Sequence, residues 1–102
     1  MKLLIVTSIV EHKKEICEIF KNSKIHTYST FPIDGHKLQV PNEMMDNWFS
    51  YGRETIDSKL YFTFASDAEI ETVMEKLDAF NKEKKPVNPI QGIVIPIEKH
   101  LN

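Results

Sequence analysis

The stretch "KLLIVTSI", Lys2 to Ile9, is apolar on both of its alternating faces: Leu3 and Ile5 on one, Leu4 and Val6 on the other. A strand with one wet face carries polar residues at every second position. A strand without them is covered on both sides and belongs in the middle of its sheet. Outward from it the period changes. From Glu11 to Ser23, Ile16, Ile19 and Phe20 recur at helical spacing among lysines and glutamates, which predicts an amphipathic helix. Ile25 to Ile33 is rich in Thr, Tyr, Ser and Phe and reads as a second strand.

Further on, Leu60 to Ala65 alternates Leu60, Phe62 and Phe64 against Tyr61, Thr63 and Ala65, a third strand. "SDAE" follows. Ser66 can accept from the Glu69 backbone N–H while the Glu69 carboxylate reaches back, a capping box. Ile70, Val73, Met74, Leu77 and Phe80 continue at helical spacing, the basic run Lys82 to Lys85 suits the negative end of the helix dipole, and Pro86 stops the helix. Ile90 to Ile97 is the last strand. Pro96 cannot donate to a ladder, so this strand lies at a sheet edge or ends at Pro96.

The order is strand, helix, strand, strand, helix, strand: an α+β, ferredoxin-like βαββαβ sandwich with a long loop, about 34–57, between strands 2 and 3. The first and third strands should be central and the fourth an edge. The 102 residues suffice for one domain, 1–102. Two helices on one face of the sheet leave the other open, and in the first and last strands both sets of alternating residues are apolar. An exposed apolar face of that size predicts self-association with closed symmetry.

Apolar residues at 41% and charged residues at 27% place the chain among ordinary globular domains rather than disordered ones. A net charge of -2 argues against a general nucleic-acid binder. The single cysteine, Cys17, excludes an internal disulfide and fits a reducing compartment. Nothing approaches the ~20 apolar residues of a membrane span. The start lacks the long apolar region and cleavage site of a signal peptide, so a cytoplasmic location without membrane insertion is expected.

No nucleophile elbow, Walker-type loop or Cys-x-x-Cys is present, and no enzymatic activity is expected. Cys17 reads as a small half-buried hydrophobe. His12, five positions before it, falls on a different helix face at ~100° per residue. His26 reads as a strand-face histidine and His100 as a tail histidine. The long loop holds "EMMDNWFSYG", Glu43 to Gly52, with two methionines, the sole tryptophan, a phenylalanine and a tyrosine. Met44, Met45, Trp48, Phe49, Tyr51 and Arg53 suit a docking surface, since methionine adapts to a partner and tryptophan anchors interfaces. An alternative is a soft-metal site for Cu(I) or Ag(I) built from His36, Met44, Met45 and Trp48. Thioethers and imidazole ligate such ions, and an indole face can cap them.

The element order with its long central loop resembles the PII signalling proteins (nitrogen regulatory proteins) and the related CutA proteins. "TYSTFPIDGHK", Thr27 to Lys37, is similar to the loop start of PII-like proteins found beside heavy-metal efflux pumps. "NPIQGIVIPIEKHL", Asn88 to Leu101, is similar to their closing strand. The resemblance implies a compact homotrimer, with a small ligand in the clefts between subunits near Gly35, His36, Lys37 and Lys99. It also implies a T-loop that docks on a partner, by resemblance a membrane efflux transporter. ATP-binding members carry a glycine-rich basic loop start and several basic residues around the last strand. Here the loop start is "IDGHKLQ", Arg53 is the only arginine, and Lys99 and His100 alone follow the last strand. Phosphate recognition wants several basic donors or a backbone nest. A nucleotide is therefore the less favoured ligand; a metal ion is the other candidate cofactor.

Overall fold

The computed structural model of the protein describes residues 1–36 and 55–101. Strand β1 spans Lys2–Ile9 and a 3-10 turn Val10–His12 leads into helix α1, Lys13–Asn22. Strands β2, Ser29–His36, and β3, Thr55–Ala65, precede helix α2, Asp67–Lys84, and strand β4, Gln91–Pro96. The sheet order is β2-β3-β1-β4, with each neighbouring pair antiparallel. The doubly apolar β1 is central, as its pattern requires, and lies between β3 and β4. Pro96 closes β4 opposite Lys2, and β4 is an edge, so the missing N–H removes no interior ladder bond.

Both helices pack on one face. Ile16 and Phe20 of α1 and Ile70, Val73 and Leu77 of α2 join Leu4 and Val6 of β1 and Tyr61 and Ala65 of β3 in one core. The capping box of α2 is formed: Glu69 N–H donates to Ser66 Oγ at 3.3 Å, and Ser66 N–H to Glu69 Oε1 at 3.1 Å. At the far end of α1, Lys24 takes a left-handed φ of 65°, which turns the chain so that Ile25 N–H reaches Phe20 O at 2.9 Å. Ile25 then enters the core at 5% exposure. It serves as a helix-closing plug, and β2 begins four residues later than its β-rich composition suggests. At its other end β2 runs on through Asp34, Gly35 and His36, paired with Asp57, Ile56 and Thr55 of β3. Asp34-Gly35 reads as a turn signal in isolation. Opposite the β-branched Ile56 and Thr55, the ladder overrides it.

The second face of the sheet is bare in the protomer. Its residues stand in cross-strand rows: Ile95–Leu3–Phe64, then Ile93–Ile5–Phe62. Phe31 lies beside them, with its ring 6.3 Å from Phe62, and Phe62 lies 6.4 Å from Phe64. Phe64 is 55% exposed, Phe31 and Ile93 47% each, and Ile95 40%. Contiguous apolar rows of this kind mark an interaction surface.

Asn81 ties α2 to β4. Its carboxamide Nδ2 donates to Ile90 O at 2.9 Å, and its Oδ1 accepts from Ile90 N–H at 3.0 Å, a side-chain imitation of a β-bridge. Ile90 is 4% exposed, so no water replaces these bonds. Asn81→Ala should lose about 1–3 kcal/mol in urea unfolding, because it strands a buried donor and acceptor. It should also loosen the 85–90 connection, read as faster amide exchange of Ile90.

Candidate functional site

At the end of the bare face where β1 finishes, three separate segments enclose a cavity of about 360 Å³. Thr7, Ser8 and Ile9 come from β1, and Ile33, Gly35, His36, Ile56 and Ser58 from the base of the β2–β3 hairpin. Val87, Asn88, Pro89 and Gln91 close it from the chain leading into β4. The volume is at the small end of the roughly 300–1,000 Å³ typical of small-molecule sites. Strand alternation explains the floor. Thr7 and Ile9, Ile33 and Gly35, Ile56 and Ser58, and Gln91 share the bare face, so the cavity continues the apolar rows.

Ser8 Oγ donates to Ile9 O at 2.9 Å and Ser58 Oγ to Ile56 O at 3.1 Å, leaving each hydroxyl oxygen as an acceptor. His36 Nδ1 lies 3.4 Å from Thr55 Oγ1 across the hairpin. A methyl group on Gly35 would meet Ser58 Oγ at 3.4 Å and Ile56 O at 3.5 Å, ordinary contacts, so the backbone there tolerates a side chain.

Of the residues expected around a ligand, Gly35 and His36 line this cavity. Lys99 is exposed and follows β4, which leaves the sheet beside Lys2, the end opposite Thr7 and Gln91. Lys99 does not line the cavity of its own protomer. Lys37, Met44, Met45, Trp48, Phe49, Tyr51 and Arg53 lie outside the described residues, as does all but His36 of the soft-metal alternative. Among the described residues no three His, Cys, Asp or Glu side chains are grouped to hold a metal ion. No described helix is long and apolar enough to cross a membrane. Sequence reading passed over Thr7, Ser8, Ser58, Asn88 and Gln91. Their only signal is a polar residue where each segment reaches the same end of the sheet.

A second polar group lies under the helices. Cys17 is half-buried, with its Sγ 3.1 Å from the Tyr28 hydroxyl, while His12 packs edge-on to Phe80 at 5.3 Å. The hydrogen bond with Cys17, followed by partial burial, pushes Tyr28 from its ordinary value of 10.0 up to about 12. Burial, with Cys17 nearby, also raises Tyr61, while the neighbouring Ser8 hydroxyl acts in the opposite direction without forming a well-aligned hydrogen bond to it. A raised tyrosine favours the protonated fold. The stabilisation is full below pH 10.0 and is lost as pH rises towards about 12. An absorbance titration at alkaline pH should show Tyr28 ionising late, and Cys17→Ala should move that step downward.

Sequence comparison finds no matching family model and no matching curated protein. Comparison of folds does find similar structures. One is CPII, a nitrogen regulatory PII-like protein from Thiomonas intermedia K12 bound to ADP, AMP and bicarbonate. It is 9% identical, with a TM-score of 0.63 over 98% of this chain and 94% of that one. Another is a protein of Thermus thermophilus assigned to PII-like signalling proteins. It is 16% identical, with a TM-score of 0.59 over 94% of this chain and 85% of that one. With the sheet order, the two helices on one face and the hairpin between β2 and β3, these likenesses establish that the chain has the fold of the PII-like signalling proteins.

Proposed function

We propose that the protein is a non-enzymatic, PII-like signalling adaptor that works as a homotrimer. A small ligand bound at the hairpin base would bias the 37–54 segment, which would dock on a partner. The observation that carries this reading is the position of the cavity. It sits where the arms of the hairpin leave the body and where the apolar face ends. A ligand there touches both arms, so it can have different affinities for different arrangements of the segment between them, which ligand control requires. Assembly through the apolar face would bring a neighbouring subunit to the cavity rim, where Lys37 and a neighbour's Lys99 could add charge.

The resemblance at Thr27 to Lys37 supports a metal-efflux transporter as the partner, recognised through Met44, Met45, Trp48 and the aromatic residues beside them. The competing role is a soft-metal sensor in which His36 and the same methionines hold Cu(I).

Native mass spectrometry of the protein, alone and with Cu(I), Zn(II), ATP, ADP, AMP and bicarbonate, tests the proposal. Trimers that take up a nucleotide or bicarbonate support it. Trimers that take up Cu(I) in multiples of three, with uptake lost in Met44→Ala and Met45→Ala, replace it with the sensor role. A protein that stays monomeric at micromolar concentration overturns the assembly and the shared ligand site together.

A further inference from the structure

The outer side of the helix layer carries a groove of about 310 Å³ between α1 and α2. Glu15, Glu18, Ile19 and Asn22 line it from α1. Lys76, Ala79, Phe80 and Glu83 line it from α2. Both sets fall at i, i+3, i+4 and i+7, so one stripe of each helix borders the groove over about two turns, roughly 10 Å. Ile19, Ala79 and Phe80 make an apolar floor. Ile19 and Phe80 are half-buried and packed on the core, which holds the floor in place. Ala79 is exposed, and its methyl group leaves the space above it open.

The rim is charged, and the charge is uneven. Strands β1 and β3 are antiparallel, so the helices that follow them run in opposite directions. The edge-on contact of His12, just before α1, with Phe80 fixes their offset. Glu15 and Glu18 therefore lie towards the same end as Glu83, and Asn22 lies towards Lys76. Among the described residues the ion pairs join Lys2 to Asp67 and Lys82 to Asp78, so the three glutamates are left without a cation. At ~100° per residue, Lys14 and Lys21 fall on the flank of α1 turned away from the groove.

An apolar floor two turns long with an acidic rim has a definite complement. A helix settles between two helices by ridges-into-grooves packing, and a groove reads such a helix through anchors one and two turns apart. Its apolar anchors would cover Ile19 and Phe80, and cations beside them would meet the glutamates. We propose that the α1–α2 groove docks an amphipathic helix of a partner protein, with apolar anchors flanked by lysine or arginine. The groove lies on the side of the sheet opposite the bare face, so it stays open in an assembly through that face. This docking does not depend on the hairpin-base ligand.

Two synthetic helices test it. One carries leucines along a single stripe with lysines on both flanks, and its twin has glutamate for every lysine. Fluorescence anisotropy with the full chain should show saturable binding of the lysine helix, at least about tenfold tighter than its twin. Raising salt from about 50 to 200 mM should weaken it severalfold, because these charges are exposed and screened. Amide shifts should centre on Ile19, Ala79 and Glu83. The double variant Glu15→Lys, Glu18→Lys should lose about tenfold or more for the lysine helix and gain affinity for the glutamate twin. Both positions are exposed, so its circular dichroism spectrum should match the parent. Phe64→Glu should bind the lysine helix as the parent does.

Equal affinity for the two helices overturns the inference, as does the absence of saturable binding. Amide shifts confined to the bare face overturn it too, since they would place the peptide on the apolar rows. None of these results touches the reading of the hairpin-base cavity, which the native mass spectrometry set decides separately.

Discussion

On the proposed assembly through the bare face of the sheet, Phe64→Glu should yield a folded monomer. Phe64 ends the row Ile95–Leu3–Phe64 on the bare face, with its ring against Phe62. At 55% exposure it contributes little to the core of its own protomer, so a carboxylate there leaves the monomer intact. In an assembly that covers this face, the same carboxylate would be desolvated without a partner, and that costs several kcal/mol. Each 1.4 kcal/mol is a factor of about ten, so the dissociation constant should rise by roughly three orders of magnitude or more. Sedimentation velocity should show one species near the protomer mass at concentrations where the parent is assembled, with an unchanged far-ultraviolet spectrum. A variant that assembles like the parent would place the interface elsewhere. Lys82→Glu, on the helix side of the fold and exposed, is the control and should assemble normally.

Phe20→Ala should be the most damaging single change among the core positions. Phe20 is 1% exposed and meets Tyr28 and Tyr61 edge-to-face, with centroids 4.9 and 6.0 Å away. Truncation removes the transfer free energy, both aromatic contacts and the packing of α1 over β3. The expected loss is about 3–5 kcal/mol, against a total stability of about 5–15 kcal/mol for an ordinary domain. Urea unfolding at a fixed protomer concentration should show a lower midpoint with an unchanged slope. Phe20→Leu keeps most of the volume and should lose less. A loss below about 1.5 kcal/mol for Phe20→Ala would mean that α1 collapses into the space.

Local pattern in the sequence accounts for the fold because each signal there is set by neighbours along the chain. The doubly apolar Lys2–Ile9 stretch requires a central strand, and β1 is central. "SDAE" requires a capped helix start, and both capping bonds are present. Pro96 requires an edge or a strand end, and it has both. The apolar second face was legible for the same reason, since alternation assigns every strand residue to a side.

Boundaries were less legible. The first part of the Ile25–Ile33 stretch has strand composition, yet Ile25 is consumed in closing α1, and only the packing of α1 on the sheet shows that. The hairpin arms reach His36 and Thr55 because each supplies the other's ladder partner, which neither segment reveals alone. Lys99 was placed near a cleft by likeness. The register of β4 with β1 carries the end of β4 away from Thr7 and Gln91, and Lys99, which follows it, does not line the cavity of its own protomer.

By itself the sequence determined the elements, their order, the central strand and the bare apolar face, because periodicity, caps and proline act over a few residues. The cavity belongs to the tertiary structure. Thr7, Ser58 and Asn88 are far apart in the chain and individually unremarked, and they meet only because antiparallel pairing carries three strand ends to one corner of the sheet.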